Sequence, residues 1–194
     1  KENEQAFGEE QEASYPTLGV VYMENCAGSF SLADCDKEIL LFVSERGRIA
    51  VGAFREILHY FDTHKDVNVV YADEDVWQLC EDDSAQNADD ADAHRIFPWT
   101  KPMWSPDTLF SFFYFGNIFA VRRSAFLDIA WLGEDDYRKN IYDFILKATE
   151  DKKRVGHIEK VLFHAYRKGE SRAAIEEELL HSTDFIGAGR QYDG

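Results

Sequence analysis

An α/β fold with a mostly parallel sheet is predicted by three short apolar runs and by the amphipathic segment lying between two of them. LGVVY at 18–22, EILLFV at 38–43 and NVVYA at 68–72 are brief, rich in β-branched residues and almost free of polar ones. That is the character of strands covered on both faces. Within Ile49–His64 the residues Val51, Phe54, Leu58 and Phe61 recur at intervals of three and four, which lays them along one stripe of a helix. Strand, helix and strand joined by short links predict a right-handed βαβ unit.

The remaining elements follow in chain order. Residues 1–14 are charged with little to bury and read as a flexible lead-in. Ser44–Arg48 is a polar turn. From Asp73 to Arg95 the chain is strongly acidic, with Glu81, Asp82, Asp83, Asp89, Asp90 and Asp92, and reads as a solvated loop. Pro98, Pro102 and Pro106 then hold FPWTKPMWSPD extended or turned. Ser105 is placed to cap a short helix with Pro106 at its first position. Asn117–Val121 predicts a strand, Arg123–Ile129 a short helix, and Tyr137–Glu150 a longer one with Tyr137, Ile141, Phe144, Ile145 and Ala148 on one face. Val155–Ile158 and Val161–Tyr166 suit one strand or two short ones, and Ser171–His181 a surface helix. A single domain over 15–186 with a frayed tail at 187–194 is the resulting organisation; no internal repeat is present.

Composition narrows the function. The 194 residues are 45% hydrophobic and 14% aromatic, enough for a substantial core. A net charge of -16 opposes a phosphate backbone, so nucleic acid is not an expected partner. Cys26, Cys35 and Cys80 are odd in number and show no CxxC spacing, which signals neither a disulfide framework nor a zinc site. No apolar run is long enough to span a bilayer, and the expected location is the cytoplasm, including the inner face of the membrane. The chain begins at Lys1 rather than Met, as a piece of a longer polypeptide would.

The order of EILLFV, an amphipathic helix, NVVYADED, FPWTKPMWSPDTL, GNIFAVRRSAF, an acidic helix and RVGHIEKVLFHAYR resembles family-2 glycosyltransferases of bacterial polysaccharide synthesis, over about Glu38–Arg167. The resemblance implies a GT-A-like fold, that of nucleotide-diphospho-sugar transferases. Its front half is reduced, because too little chain precedes Glu38 to build the nucleotide-base pocket. LGVVYMEN fits either the opening strand or a later one, with AGSFSLADC as a shortened remnant. The implied partners are a nucleotide-sugar donor and a polysaccharide or glycolipid acceptor, joined by direct inverting displacement. The alternative is a non-catalytic GT-A-like module that binds a glycan or a protein.

Such transfer needs a divalent cation, Mg²⁺ or Mn²⁺, or equivalent charge at the leaving diphosphate, and a carboxylate to deprotonate the acceptor. Where the family has its metal-binding Asp-x-Asp, this chain has Ser44, Glu45 and Arg46, and an arginine opposes a cation. Asp73, Glu74 and Asp75 retain the family's second acidic cluster; the resemblance offers Asp73 and Asp75 as metal ligands with His157 as a third. A solvated acidic run and a hydrogen-bonded structural histidine are the plainer readings. At the position of the catalytic base stands Ile141. Asp135 and Asp136 are the candidate replacements, and either also suits a helix cap. Asp143 reads as structural or exposed. Lys101, Trp104 and Asp107 match the family's acceptor wall, and Arg122, beside Arg123, has the charge to attract a diphosphate; a tryptophan among prolines is as often core, and the arginines equally suit the surplus acids.

Overall fold

The computed structural model describes residues 15–79, 94–150 and 154–168. Among the described residues the seven strands are β1 (Leu18–Tyr22), β2 (Ile39–Val43), β3 (Gly47–Ile49), β4 (Val67–Leu79), β5 (His94–Trp99), β6 (Ile118–Arg122) and β7 (Arg154–Lys168). The α-helices are α1 (Ala53–Thr63), α2 (Pro106–Ser111) and α3 (Tyr137–Glu150), with 3₁₀ turns at Met23–Cys26, Leu32–Asp34 and Arg123–Ala125.

All seven strands join one sheet in the order β1-β2-β6-β4-β7-β3, with β5 also on β4. The α/β architecture is as expected, while the sheet is mixed. β1 with β2 and β4 with β7 run parallel; β6 is antiparallel to β2 and β4, and β3 and β5 are antiparallel edge strands on β7 and β4. β2 and β4 therefore still point the same way across the helix α1, with β6 inserted between them. Apolar sequence alone specifies burial and carries no strand direction.

Alternation along the strands divides the core in two. Ile39, Leu41 and Val43 of β2, Val70 and Ala72 of β4, and Ile118 and Ala120 of β6 pack with Phe54, Ile57 and Phe61 of α1. On the other face Leu40, Phe42, Val69, Tyr71, Phe119 and Val121 pack with Ile141, Phe144, Ile145 and Ala148 of α3 and Leu109 of α2. Helices thus cover both faces of the sheet, which explains why β2 is buried at every position.

Several boundaries differ from the sequence reading. The first helix starts at Ala53, after Gly52 at φ 83°, so Val51 lies outside the stripe and is 82% exposed. Gly47 and Arg48, expected in a turn, and Ile49, expected at the head of the helix, form a strand that pairs with Phe163–Ala165. The third strand runs on through the acids to Leu79 because β7 and β5 flank it there. Val155–Tyr166 is one strand rather than two, with register shifts opposite Asp73. Arg123–Ile129 yields only the 3₁₀ turn Arg123–Ala125. Ser105 caps α2 as expected, its Oγ accepting the Thr108 N–H at 3.3 Å. The lead-in at 1–14, the acids at 81–92, the helix expected at Ser171–His181 and the tail lie outside the described residues.

Candidate functional site

The acidic triplet lies where β4 passes the N-terminal end of β6, with β7 alongside it and β5 ending opposite Glu74, and all three side chains are buried, at 5%, 4% and 6% exposure for Asp73, Glu74 and Asp75. Each has internal partners. Asp73 Oδ1 accepts the Lys101 backbone N–H at 2.9 Å and lies 2.8 Å from His157 Nε2. Glu74 accepts the Asn117 N–H at 2.9 Å and its Nδ2 at 3.1 Å, and pairs with Lys101 Nζ at 3.4 Å. Asp75 Oδ1 lies 2.6 Å from His164 Nδ1. Burial holds the Lys101 ammonium below its ordinary pKa, against the opposing pull of Glu74 and Asp73. Its Nζ also donates to the Phe115 carbonyl at 2.6 Å and lies over the Trp99 ring.

His157 stacks flat on Tyr71, ring centroids 4.6 Å apart, and its buried Nδ1 has no hydrogen-bond partner. Asp73 and His157 are thus brought together, and Asp75 is directed to a different histidine. Among the described residues no three His, Cys, Asp or Glu side chains are grouped to hold a metal ion. The insertion that makes this arrangement lies in β7: Ala72 faces Ile158 and Asp73 faces Val161, which leaves Glu159 and Lys160 exposed.

A second polar cluster forms where β1 and β2 end side by side. Glu24, in the 3₁₀ turn after β1, accepts the Ser44 hydroxyl at 2.8 Å and the Glu45 N–H at 3.0 Å after β2, and the Tyr137 hydroxyl at 3.4 Å at the head of α3. Ser44 Oγ in turn accepts the Arg46 N–H at 3.2 Å. The Tyr137 phenol is raised above its ordinary pKa, first by burial and then by Glu24, with Arg46 and Arg138 acting the other way.

The two candidate bases part company here. Asp136 Oδ1 accepts both the N–H and Nε of Arg138, at 3.1 and 3.0 Å, and Oδ2 accepts Nη2 at 3.1 Å. That is an N-cap contact reinforced by an ion pair, and the Arg138 hydrogen bond holds the Asp136 carboxyl below its usual value. Asp135 is exposed. Ile141 is 1% exposed within the core beneath α3. Asp143, one possible reading of which was an exposed acid, is buried at 7% and paired with Lys147 at 2.5 Å.

On the segment before α2, Lys101 turns inward to Glu74, Trp104 is half-buried with its ring edge-on to Phe115, and Asp107 is exposed. Arg122 lies at the opposite end of the sheet, since β6 is antiparallel and Arg122 faces Ile39 at the start of β2. There it pairs with Glu38 at 3.1 Å and donates to the Phe61 carbonyl. The sequence reading did not single out Glu24 or Asn117. Glu24 makes contacts 20 to 113 residues away in the chain and Asn117 one 43 residues away, and no local pattern announces such contacts.

The mixed, doubly covered sheet defines an α/β domain whose architecture is consistent with a reduced GT-A-like fold. In sequence the chain is similar to the O-antigen biosynthesis protein RfbC of Myxococcus xanthus, 29% identical over 142 residues, which are 73% of this chain and 10% of RfbC. The chain therefore spans about a tenth of that relative's length. A looser structural likeness, at TM-score 0.42 and 12% identity, covers 80% of this chain and 43% of S. aureus TarS 1-349, solved in complex with UDP-GlcNAc. No family model matches the chain. Among the described residues no helix is long and apolar enough to cross a membrane.

Proposed function

We propose that this chain is a glycosyltransferase-like domain of surface-polysaccharide assembly that handles a glycan or its nucleotide-sugar precursor without completing a metal-and-base transfer centre of its own. The observation that carries the reading is the engagement of the acidic triplet: Asp73, Glu74 and Asp75 are all buried against Lys101, Asn117, His157 and His164. A divalent cation at these acids would meet the Lys101 ammonium as like charge and would have to displace the hydrogen bonds already made. The residues as arranged do not fit Mg²⁺ or Mn²⁺. The buried Ile141 offers no proton acceptor at the family's base position. The similarity to an O-antigen biosynthesis protein supports the polysaccharide context, and the half-buried Trp104 with the exposed Asp107 supports a sugar-facing surface.

Calorimetry with uridine and thymidine diphosphates and with oligosaccharide fragments of a surface polysaccharide, each with and without Mn²⁺, tests this. Binding that Mn²⁺ does not strengthen, together with no release of sugar from a nucleotide-sugar, is the expected result. Mn²⁺-dependent turnover that Asp75→Asn abolishes would sink the reading. That outcome would favour a second one, an active inverting transferase using Asp73, Asp75 and His157 around a cation. Its base would be Asp135, which is exposed and makes no hydrogen bond or ion pair among the described residues.

A further inference from the structure

β7 lies between β4 and β3, yet β3 covers its outer edge only at residues 163–165. The chain on either side of β3 adds two bonds, Tyr166 N–H to the Arg46 carbonyl and Ala50 N–H to the Leu162 carbonyl. Before Leu162 no described strand joins that edge. A strand turns alternate N–H and C=O groups to its two sides, so residues 154–158, paired with β4 on one side, present a row of them on the other. Both faces of this stretch are closed. The Tyr60 ring of α1 rests on Gly156, where an added Cβ would stand 2.4 Å from it, and His157 stacks on Tyr71. Among the described residues only the edge is left open. Natural edges are blunted by proline or by inward charge; residues 155–158 carry neither, and the charges stand at the two ends, Arg154 and Glu159.

We propose that residues 154–159 form a docking edge for a second copy of this chain, the two β7 strands pairing antiparallel across a two-fold axis so that one sheet runs through both subunits. Self-pairing of this kind is isologous, the same stretch serving both partners, and main-chain hydrogen bonds supply the attraction. The charges select the direction. In the antiparallel arrangement the Arg154 end of each strand meets the Glu159 end of the other, whereas a parallel one would set like charges side by side. Arg154 also pairs with Asp66 of its own chain; Glu159 is exposed and makes no hydrogen bond or ion pair among the described residues. The chain leading into β7 of the second copy then passes Val51, which follows Ala50 on the same edge. At 82% Val51 is the most exposed large apolar side chain among the described residues, and the pairing shields it. Only backbone and end charges are used, so the pairing does not depend on whether the chain handles a sugar.

Sedimentation velocity on the full chain from about 1 µM to about 500 µM, for wild type, Glu159→Arg and Arg154→Glu/Glu159→Arg, tests it. Wild type is expected to pass from monomer to dimer within this range. Glu159→Arg sets arginine against arginine at both ends and is expected to weaken the dimer about tenfold; the added Arg154→Glu is expected to restore most of the loss. Hydrogen exchange on wild type reads the same edge with no variant: protection of the amides in 154–159 that grows with concentration supports the pairing. A wild type that stays monomeric throughout overturns the proposal, and so does a dimer that Glu159→Arg leaves at full strength while these amides stay unprotected. Amides protected equally at every concentration would show that another segment of the chain covers the edge, and that too overturns it.

Discussion

The Asp73 carboxylate links two distant parts of the chain through one oxygen, accepting the Lys101 backbone N–H at 2.9 Å and meeting His157 Nε2 at 2.8 Å. β4, β7 and the segment leading to α2 are thereby fixed to one another in a buried setting. Hydrogen bonds there are worth most when every group is satisfied. Asp73→Ala leaves the Lys101 N–H and the His157 ring without this acceptor, and a loss of about 1–3 kcal/mol for each unsatisfied group is expected. Urea unfolding of Asp73→Ala, His157→Ala and the double variant measures it, and the double variant should cost clearly less than the two singles together. Strict additivity would mean that the pair does not act as a unit.

Gly116 lies against the other half of this network. Its φ of 67° disfavours a side chain, and a Cβ there would stand 2.7 Å from Glu74 Oε1 and 2.8 Å from Lys101 Nζ. Lys101 is buried and held by the Phe115 carbonyl, so neither neighbour gives way easily. Gly116→Ala should destabilise by about 1–3 kcal/mol, read as a lowered denaturant midpoint with the slope unchanged. Gly133 makes the control: it too has positive φ, at 81°, yet nothing lies within 4 Å of its Cβ position, so Gly133→Ala should cost less.

How much of this was readable beforehand depended on the range of the forces involved. α3 was predicted with both its ends, because its apolar stripe is local and periodic, and Ser105 with Pro106 announced α2 for the same reason. Val51 was misassigned because Gly52 starts the helix two residues later than the apolar spacing implies. The extension of β4 through Asp73–Asp75 was not legible at all. A run of acids reads as solvated until its partners are known, and Lys101, Asn117, His157 and His164 lie 27 to 89 residues further along the chain. Arg122 was grouped with the site by its chemistry alone, while the antiparallel direction of β6 carries it to the other end of the sheet.

Ile141 gives a sharper test of the proposal that no base stands at this position. Restoring an acid by Ile141→Asp would place a carboxylate at a position 1% exposed, among the residues packed beneath α3. An uncompensated buried charge costs about 3–5 kcal/mol, so the variant is expected to unfold or to lose most of its stability, without gaining transfer activity. A well-folded Ile141→Asp with sugar-transferring turnover would show that the surrounding site is otherwise complete.

Asp136 allows the sign of a pH effect to be worked out. Its carboxyl is held below the ordinary value of 3.8, chiefly by the hydrogen bond from the Arg138 side chain. A depressed acid contributes stability that is fully present above its unfolded pKa and is lost as pH falls through its folded one. Asp136→Asn keeps a capping oxygen for the Arg138 N–H but gives up the charge. The Arg138 side chain is 62% exposed, so solvent screening keeps the ionic part small, whereas Asp136→Ala also removes the cap and should cost about 0.5–2 kcal/mol. Thermal unfolding from about pH 6 down to about pH 2.5 should therefore show wild type above Asp136→Asn at the upper end. The two should converge as the pH falls below the usual carboxylate range. A gap that stayed constant across the whole span would assign the difference to the cap's shape rather than to its charge.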